Sequence, residues 1–251
     1  MNPIKALIFD YGGTIDTPAV HWSEVLWKAY QRCQLTLTKE QFREAYVHGE
    51  RTLARSPIIQ PQHNFLDVLQ MKVEIEIRFL VQQGYLHLPH TSQKEDIIKS
   101  WTDTIAHDCY GYVKNVLMTN RPILQRLSSR YPMVLVTNFY GNIHTVLDDF
   151  QLPFFSEVIE SAVVGVRKPD PRIFQLGVET LGLAPANVAV IGDSYSKDII
   201  PAKSIGCHTV WFKGIGWTDE QHDPAAADAI IHSFNELEDI FLSSNNNHLP
   251  L

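Results

Sequence analysis

The feature that most constrains this chain is a short apolar run near its start, Ile4 to Phe9, which stops at Asp10 and passes at once into Gly12-Gly13. A run without polar alternation reads as a strand buried on both faces, the mark of a parallel sheet covered by helices. The two glycines mark a tight turn after it. Four more runs of this kind come only in the second half: Met133 to Val136, Val188 to Ile191, His208 to Phe212 and Ala229 to Ile231. Helical patterns lie among them over Asn142 to Phe150, Pro171 to Leu181, Lys197 to Ile205 and Ser233 to Leu242. Strand alternating with helix predicts an α/β fold, an open parallel sheet with right-handed crossovers.

The interval from Thr17 to Lys114 lacks any such strand. It carries amphipathic helical patterns over Trp22 to Cys33, Lys39 to Arg55, Phe65 to Gln83 and Gln93 to Asp108, punctuated by Pro57, Pro61 and Pro89. Residues 17–114 therefore read as a helical domain inserted after the first strand, and residues 1–16 with 115–251 as the α/β core. Both ends of the insertion must return to the first strand, so its underside faces the C-terminal rim of the sheet, where α/β folds bind ligands.

Of the 251 residues, 45% are hydrophobic and 20% charged, a balance that excludes bulk disorder. A net charge of −7 with no Lys/Arg run argues against a nucleic-acid binder or a protein held on anionic lipid. No apolar stretch approaches the ~20 residues needed to cross a bilayer. Cys33, Cys109 and Cys207 are widely spaced and odd in number, which suggests neither a disulfide framework nor a zinc site and points to the cytoplasm. The polar tail Ser243 to Asn247 reads as frayed.

Four strand ends carry chemistry. Asp10 stands at the mouth of the first, able to serve as nucleophile, metal ligand or turn cap. Thr137-Asn138 sets a hydroxyl and an amide on the same rim. Lys168 precedes Pro169, which bars a helical conformation and fixes the lysine on a loop. Asp193 and Asp198 bracket a strand-to-helix junction, suited to a hard cation or to one ligand and one supporting acid.

In this order, each at a strand end, the segments Phe9-Asp10-Tyr11-Gly12-Gly13-Thr14, Val136-Thr137-Asn138, Lys168-Pro169-Asp170 and Gly192-Asp193-Ser194-Tyr195-Ser196-Lys197-Asp198 resemble the four motifs of the haloacid dehalogenase superfamily. The resemblance covers nearly the whole chain, the insertion matching that family's helical cap. It implies a Rossmann-like parallel core of five strands, sometimes with one added. It further implies Asp10 as a nucleophile forming an aspartyl intermediate, and Thr137 donating to the phosphoryl oxygens, with Asn138 beside it at the substrate. Lys168 would stabilise nucleophile and transferred group. A Mg²⁺ would be held by Asp10, the Gly12 carbonyl and Asp193, with Asp198 completing the site or orienting Lys168. The expected substrate is a small phosphorylated metabolite.

The pattern departs from the family's phosphatases at Gly12, where they usually carry a second aspartate as general acid and base. Losing a positioned proton donor costs ~10²–10⁴-fold for a poor leaving group. Four readings stay open. They are a phosphatase whose leaving group is activated otherwise, a phosphonatase-like C–P hydrolase with a cap lysine (Lys28, Lys39 or Lys72), a 2-haloacid dehalogenase, and a capped protein that binds a phosphorylated ligand without turnover. Asp16 and His21 are candidates to replace the acid, though hinge and helix-cap roles suit them better. Trp22, Val25, Leu26 and Tyr30 read as the buried stripe of one helix. Residues 74–77 and Lys94-Glu95-Asp96 read as solvated helix faces, and the pair His87 and His90 lacks the neighbours a zinc site needs.

Overall fold

In the computed structural model, which describes residues 3–89, 93–216 and 223–243, every side chain of the first strand β1 (Ala6–Phe9) is buried. The chain adds β2 (Met133–Thr137), β3 (Glu157–Glu160), β4 (Val188–Gly192), β5 (His208–Phe212) and β6 (Ala229–Ile231). They form one sheet in the order β3-β2-β1-β4-β5-β6, with all five pairings parallel. The apolar runs are thus central strands, as their lack of alternation requires. The sheet has a Rossmann-type α/β arrangement. From β1 the chain builds outward on one side through β2 and β3, then returns to β4 on the other. The switch point of the topology therefore lies between β1 and β4, where ligands of such sheets collect.

The sixth strand, β3, is not among the apolar runs. It is an edge strand flanked by Glu157 and Glu160, with only Val158 and Ile159 between them, too short to register as a buried run. Alternate side chains of the sheet feed two layers. Leu7, Phe9, Leu135 and Ile191 pack with the helical insertion, and Ile8, Val134, Val136 and Val190 pack against Ile173 and Phe174.

The insertion contains α1 (Trp22–Arg32), α2 (Lys39–Arg55) and α3 (Phe65–Gln82). Reciprocal capping boxes, Thr38 with Gln41 and Asn64 with Asp67, start α2 and α3. The stripe of α1 is as expected, with Val25, Leu26 and Tyr30 buried and Trp22 packed at its edge. The helix expected to end at Asp108 instead runs unbroken as α4 (Lys94–Ser128), through Gly111 and Pro122. Its buried side of Ile98, Thr102, Ile105, Cys109, Val113, Leu117, Asn120, Leu124 and Leu127 keeps the helical period from end to end, so packing overrides the two breakers. The boundary at residue 114 falls inside this helix. Asn120 donates to the Ile15 carbonyl at 2.9 Å, tying α4 to the loop after β1.

The remaining helices are α5 (Ile143–Asp149), α6 (Ser161–Val164), α7 (Arg172–Leu181), α8 (Ile200–Ser204) and α9 (Glu236–Phe241). No helix among the described residues is long and apolar enough to cross a membrane. His90 and the tail from residue 244 onward lie outside the described residues.

Candidate active site

Strand ends assemble the site. The Asp10 amide donates to the Ile191 carbonyl at 3.0 Å, which fixes the first residue after β1 level with the end of β4. Beyond it the Tyr11 carbonyl accepts from the amides of Thr14, Ile15 and Asp16, and Asp16 Oδ1 accepts from the Gly13 amide at 2.7 Å. This turn needs glycine at 13, where φ is +94° and a Cβ would lie 2.6 Å from Asp193 Cγ. Gly192 is required on the opposite side, since a Cβ there would lie 2.5 Å from Asp198 Cγ.

Lys168 is at the centre. Its ammonium pairs with Asp10 Oδ1 and lies 2.7 Å from Asp198 Oδ1. Asp198 Oδ2 accepts from the Ser194 amide at 3.0 Å, so both of its oxygens are engaged. The Thr14 hydroxyl accepts from the Asp193 amide at 3.0 Å and can donate its single proton to Asp10 Oδ2 at 3.2 Å or to Asp193 Oδ1 at 3.3 Å. Trp211 Nε1 holds the Asp193 carbonyl at 2.9 Å from β5. Thr137 ends β2, one strand over from Asp10, and is buried. Asn138 spends its amide on the Lys168 backbone, accepting from its N–H at 2.9 Å and donating to its carbonyl at 3.1 Å. The residue expected beside the substrate is therefore engaged in positioning the lysine loop.

The electrostatics leave a surplus of negative charge. Asp10, Asp193 and Asp198 present carboxylate oxygens within 4.8 Å of one another, against one buried ammonium. Burial, partly offset by the Lys168 charge and reinforced by Asp198, pushes the Asp10 carboxyl up to about 6. Burial and then the charges of Asp10 and Asp198 raise Asp193 well above the carboxylate range. Burial opposes the Lys168 charge, but Asp10 and Asp198 outweigh it and hold the ammonium protonated. Hard oxygen donors with unmet negative charge suit a small divalent cation, and the residues fit Mg²⁺ on that ground. Gly12 is exposed, and the turn's hydrogen bonds fall on the carbonyls of Tyr11 and Gly13.

The two residues considered as replacement acids have other work. Asp16 is buried and accepts from both Gly13 and Trp22 Nε1, the latter at 2.9 Å, with its carboxyl raised by burial to about 7. His21 caps α1, its Nδ1 accepting from the Ser23 amide. Burial, followed by the charges of Lys197 and Lys72, lowers its imidazole to about 4, so it carries no acid proton at neutral pH. Among the candidate lysines, Lys39 pairs with Glu24 and Lys28 is exposed. Lys72 is buried against Glu50, which overcomes the burial penalty and holds the ammonium up at about 12. A protonated lysine is no amine nucleophile. Residues 74–77 are not a solvated face, for Glu76 is fully buried.

Sequence reading missed Thr14 and Trp211 at the site, and the pairing of Lys72 with Glu50 beside buried Glu76. Thr14 could have been found, since it closes the turn that the glycines announce. The others meet only through the fold.

Comparison with known proteins agrees with this geometry. A family profile of haloacid dehalogenase-like hydrolases matches residues 4–206. The glyceraldehyde 3-phosphate phosphatase of Pyrococcus furiosus is 30% identical over 112 residues, 41% of this chain and 44% of that protein. The phosphoserine phosphatase of Thermus thermophilus is 38% identical over 71 residues, 28% of each chain. The matched segments thus span less than half the length of these relatives. Among solved structures, a dehalogenase with an intermediate complex superposes with a TM-score of 0.63 at 17% identity, covering 98% of this chain and 100% of that one. A HAD phosphatase from Thermococcus onnurineus gives 0.52 at 23% identity, covering 98% and 100%. At these identities the two structures speak to the fold alone. With its motifs gathered at the switch point and the profile spanning most of its length, the chain belongs to the haloacid dehalogenase-like hydrolases.

Proposed function

We propose that the protein is a Mg²⁺-dependent phosphatase acting on a small phosphorylated metabolite, with Asp10 as nucleophile. The observation that carries this reading is the cluster of three carboxylates around one lysine, a charge surplus that a divalent cation would offset. Bound there by Asp10, Asp193 and the Gly12 carbonyl, Mg²⁺ would neutralise the phosphate and lower the repulsion toward an attacking carboxylate. Asp10 Oδ attacks phosphorus, the ester oxygen departs, and water then cleaves the aspartyl phosphate. Lys168 stabilises charge on the equatorial oxygens, with Thr137 donating to one of them. Asp198, engaged on both oxygens, orients Lys168 rather than ligating the metal. The helical insertion acts as a cap over the rim, shedding water from the intermediate when closed.

The relatives named as phosphatases support this chemistry. Lys72, held protonated by Glu50, weighs against a Schiff-base C–P hydrolase, and the acid surplus weighs against a metal-free dehalogenase. With glycine at 12, leaving groups of low pKa are favoured. The test is phosphate release from an aryl phosphate with Mg²⁺ or EDTA, using wild type and Asp10→Asn. Release that needs Mg²⁺ and disappears in Asp10→Asn is the expected result. Folded wild type that releases nothing under either condition would overturn the reading.

A further inference from the structure

The three acids at the rim are aimed in different ways. Asp10 and Asp198 share the Lys168 ammonium, and Asp198 also accepts from the Ser194 amide, so both carboxylates are held directly. The Asp193 carboxylate forms no ion pair among the described residues. Its hydrogen bond is with the Thr14 hydroxyl at 3.3 Å, whose single proton Asp10 competes for.

What is fixed at Asp193 is the backbone. Its N–H donates to Thr14 Oγ1 at 3.0 Å, and its carbonyl accepts from Trp211 Nε1 at 2.9 Å. Thr14 stands in the turn after β1 and Trp211 on β5, the two strands that flank β4, so side chains from either side grip the peptide groups around one Cα. The chain beyond supplies no regular support, for it leaves β4 at Gly192 and winds into a π-helical turn over Tyr195–Ile199, a rare conformation. Holding both peptides sets the direction of the Asp193 Cα–Cβ bond, and with it the arc that its carboxylate can sweep.

The indole is itself immobilised. Trp211 is 5% exposed and in register with Gly192, its ring lies 5.2 Å from that of Tyr195, and the Lys213 ammonium sits 5.0 Å from its centre. A buried indole N–H needs an acceptor, and this one takes the carbonyl of the acid that lacks a lysine. Resting on the Mg²⁺-dependent phosphatase reading, we infer that Trp211 is a positioning residue for the cation site, its N–H acting with Thr14 to aim the Asp193 carboxylate at a cation shared with Asp10. Groups that orient metal ligands are typically worth ~10–100-fold in metal affinity. Mg²⁺ demands near-ideal octahedral geometry whereas Ca²⁺ tolerates irregular sites, so a loosened Asp193 costs Mg²⁺ more than Ca²⁺.

The test measures Mg²⁺ and Ca²⁺ binding by calorimetry, without substrate, on wild type, on Trp211→Phe and on protein carrying benzothienylalanine at position 211, which keeps the shape of the indole and lacks its N–H. Loss of the N–H should weaken Mg²⁺ by ~10-fold and Ca²⁺ by less than ~3-fold. Phenylalanine leaves a void beside Tyr195, so the benzothienyl protein decides the outcome if Trp211→Phe fails to melt cooperatively. Equal losses for the two cations, or no loss for either, would make Trp211 a packing residue alone and overturn the inference. Wild type that binds neither cation, or Asp193→Asn that binds both as wild type does, would instead bring down the Mg²⁺ reading on which the inference rests, so the two failures are told apart.

Discussion

The protein buries two lysines among carboxylates, and the two clusters differ in how they are built. Lys168 at the sheet rim lies between acids delivered by strand ends and the turns after them, whose positions the parallel register fixes. Lys72 in the insertion meets an acid delivered by a neighbouring helix face, and behind it Glu76 is buried with Oε1 lacking any partner among the described residues while Oε2 accepts from Tyr30 at 3.0 Å. At the rim acids outnumber the base and everything converges on one open point. In the insertion the charge is shared between the pair of Lys72 with Glu50 and a carboxyl sealed inside. Strand ends can concentrate charge because the sheet holds them, whereas helix faces disperse it along their length.

The largest effect that would break this contrast is at Lys168. Replacing it with Met should lower aryl-phosphate turnover by at least ~10³-fold, since it removes the cation shared by Asp10 and Asp198. If Lys72→Met cost as much in turnover, the distinction between a lysine at the site and one paired inside the insertion would fail. Next comes Gly12→Asp. No atom lies within 4 Å of a Cβ built at Gly12, and its φ is outside the left-handed region, so the side chain fits without strain. It should raise turnover of alkyl phosphates by ~10²-fold while changing aryl phosphates little, read as the ratio of the two. An equal change on both would mean that protonation of the leaving group does not limit the reaction.

Glu76 gives a smaller effect, in stability. Burial raises its carboxyl from the ordinary 4.5 to about 7, against the opposing charge of Lys72 and the Tyr30 hydrogen bond, with Glu50 adding to the rise. The folded state therefore holds the proton more tightly than the unfolded chain. Its contribution is complete below about pH 4.5 and is lost as the pH rises through about 7. Thermal melts of Glu76→Gln against wild type should show the variant gaining, relative to wild type, about 3 kcal/mol between pH 4.5 and pH 8. A parallel pH course in the two proteins would place the proton elsewhere. Smallest is Arg78→Ala, which removes exposed pairs with Glu74 and Glu95 on the outer face of α3 and should leave melting and turnover unchanged.

Legibility follows the same division. Much of the rim could be read because Asp10, Thr137 and Asp193 stand at the end of an apolar run or just past it, and a run's end is a local fact. Lys168, on the loop after α6, and Asp198, in the helical turn after β4, were legible only as parts of a motif, while Asn138, beside Thr137, holds the lysine backbone. The edge strand β3 was not legible because its apolar part is only Val158 and Ile159, set between Glu157 and Glu160. The length of α4 was concealed by Gly111 and Pro122, whose local cost is outweighed by a stripe that packs the helix first on the insertion and then on the core.

What the sequence alone determined is the α/β class, the helical insertion after β1 and the roster of acids and lysine at the strand ends and the loops beyond them, because periodicity and turn residues act over a few positions. Only the tertiary structure decided which acids face the lysine, that His21 is held neutral, that Glu76 is sealed and that Glu50 pairs with Lys72. Those properties depend on burial and on charges brought together from distant parts of the chain, and neither is a property of any one segment.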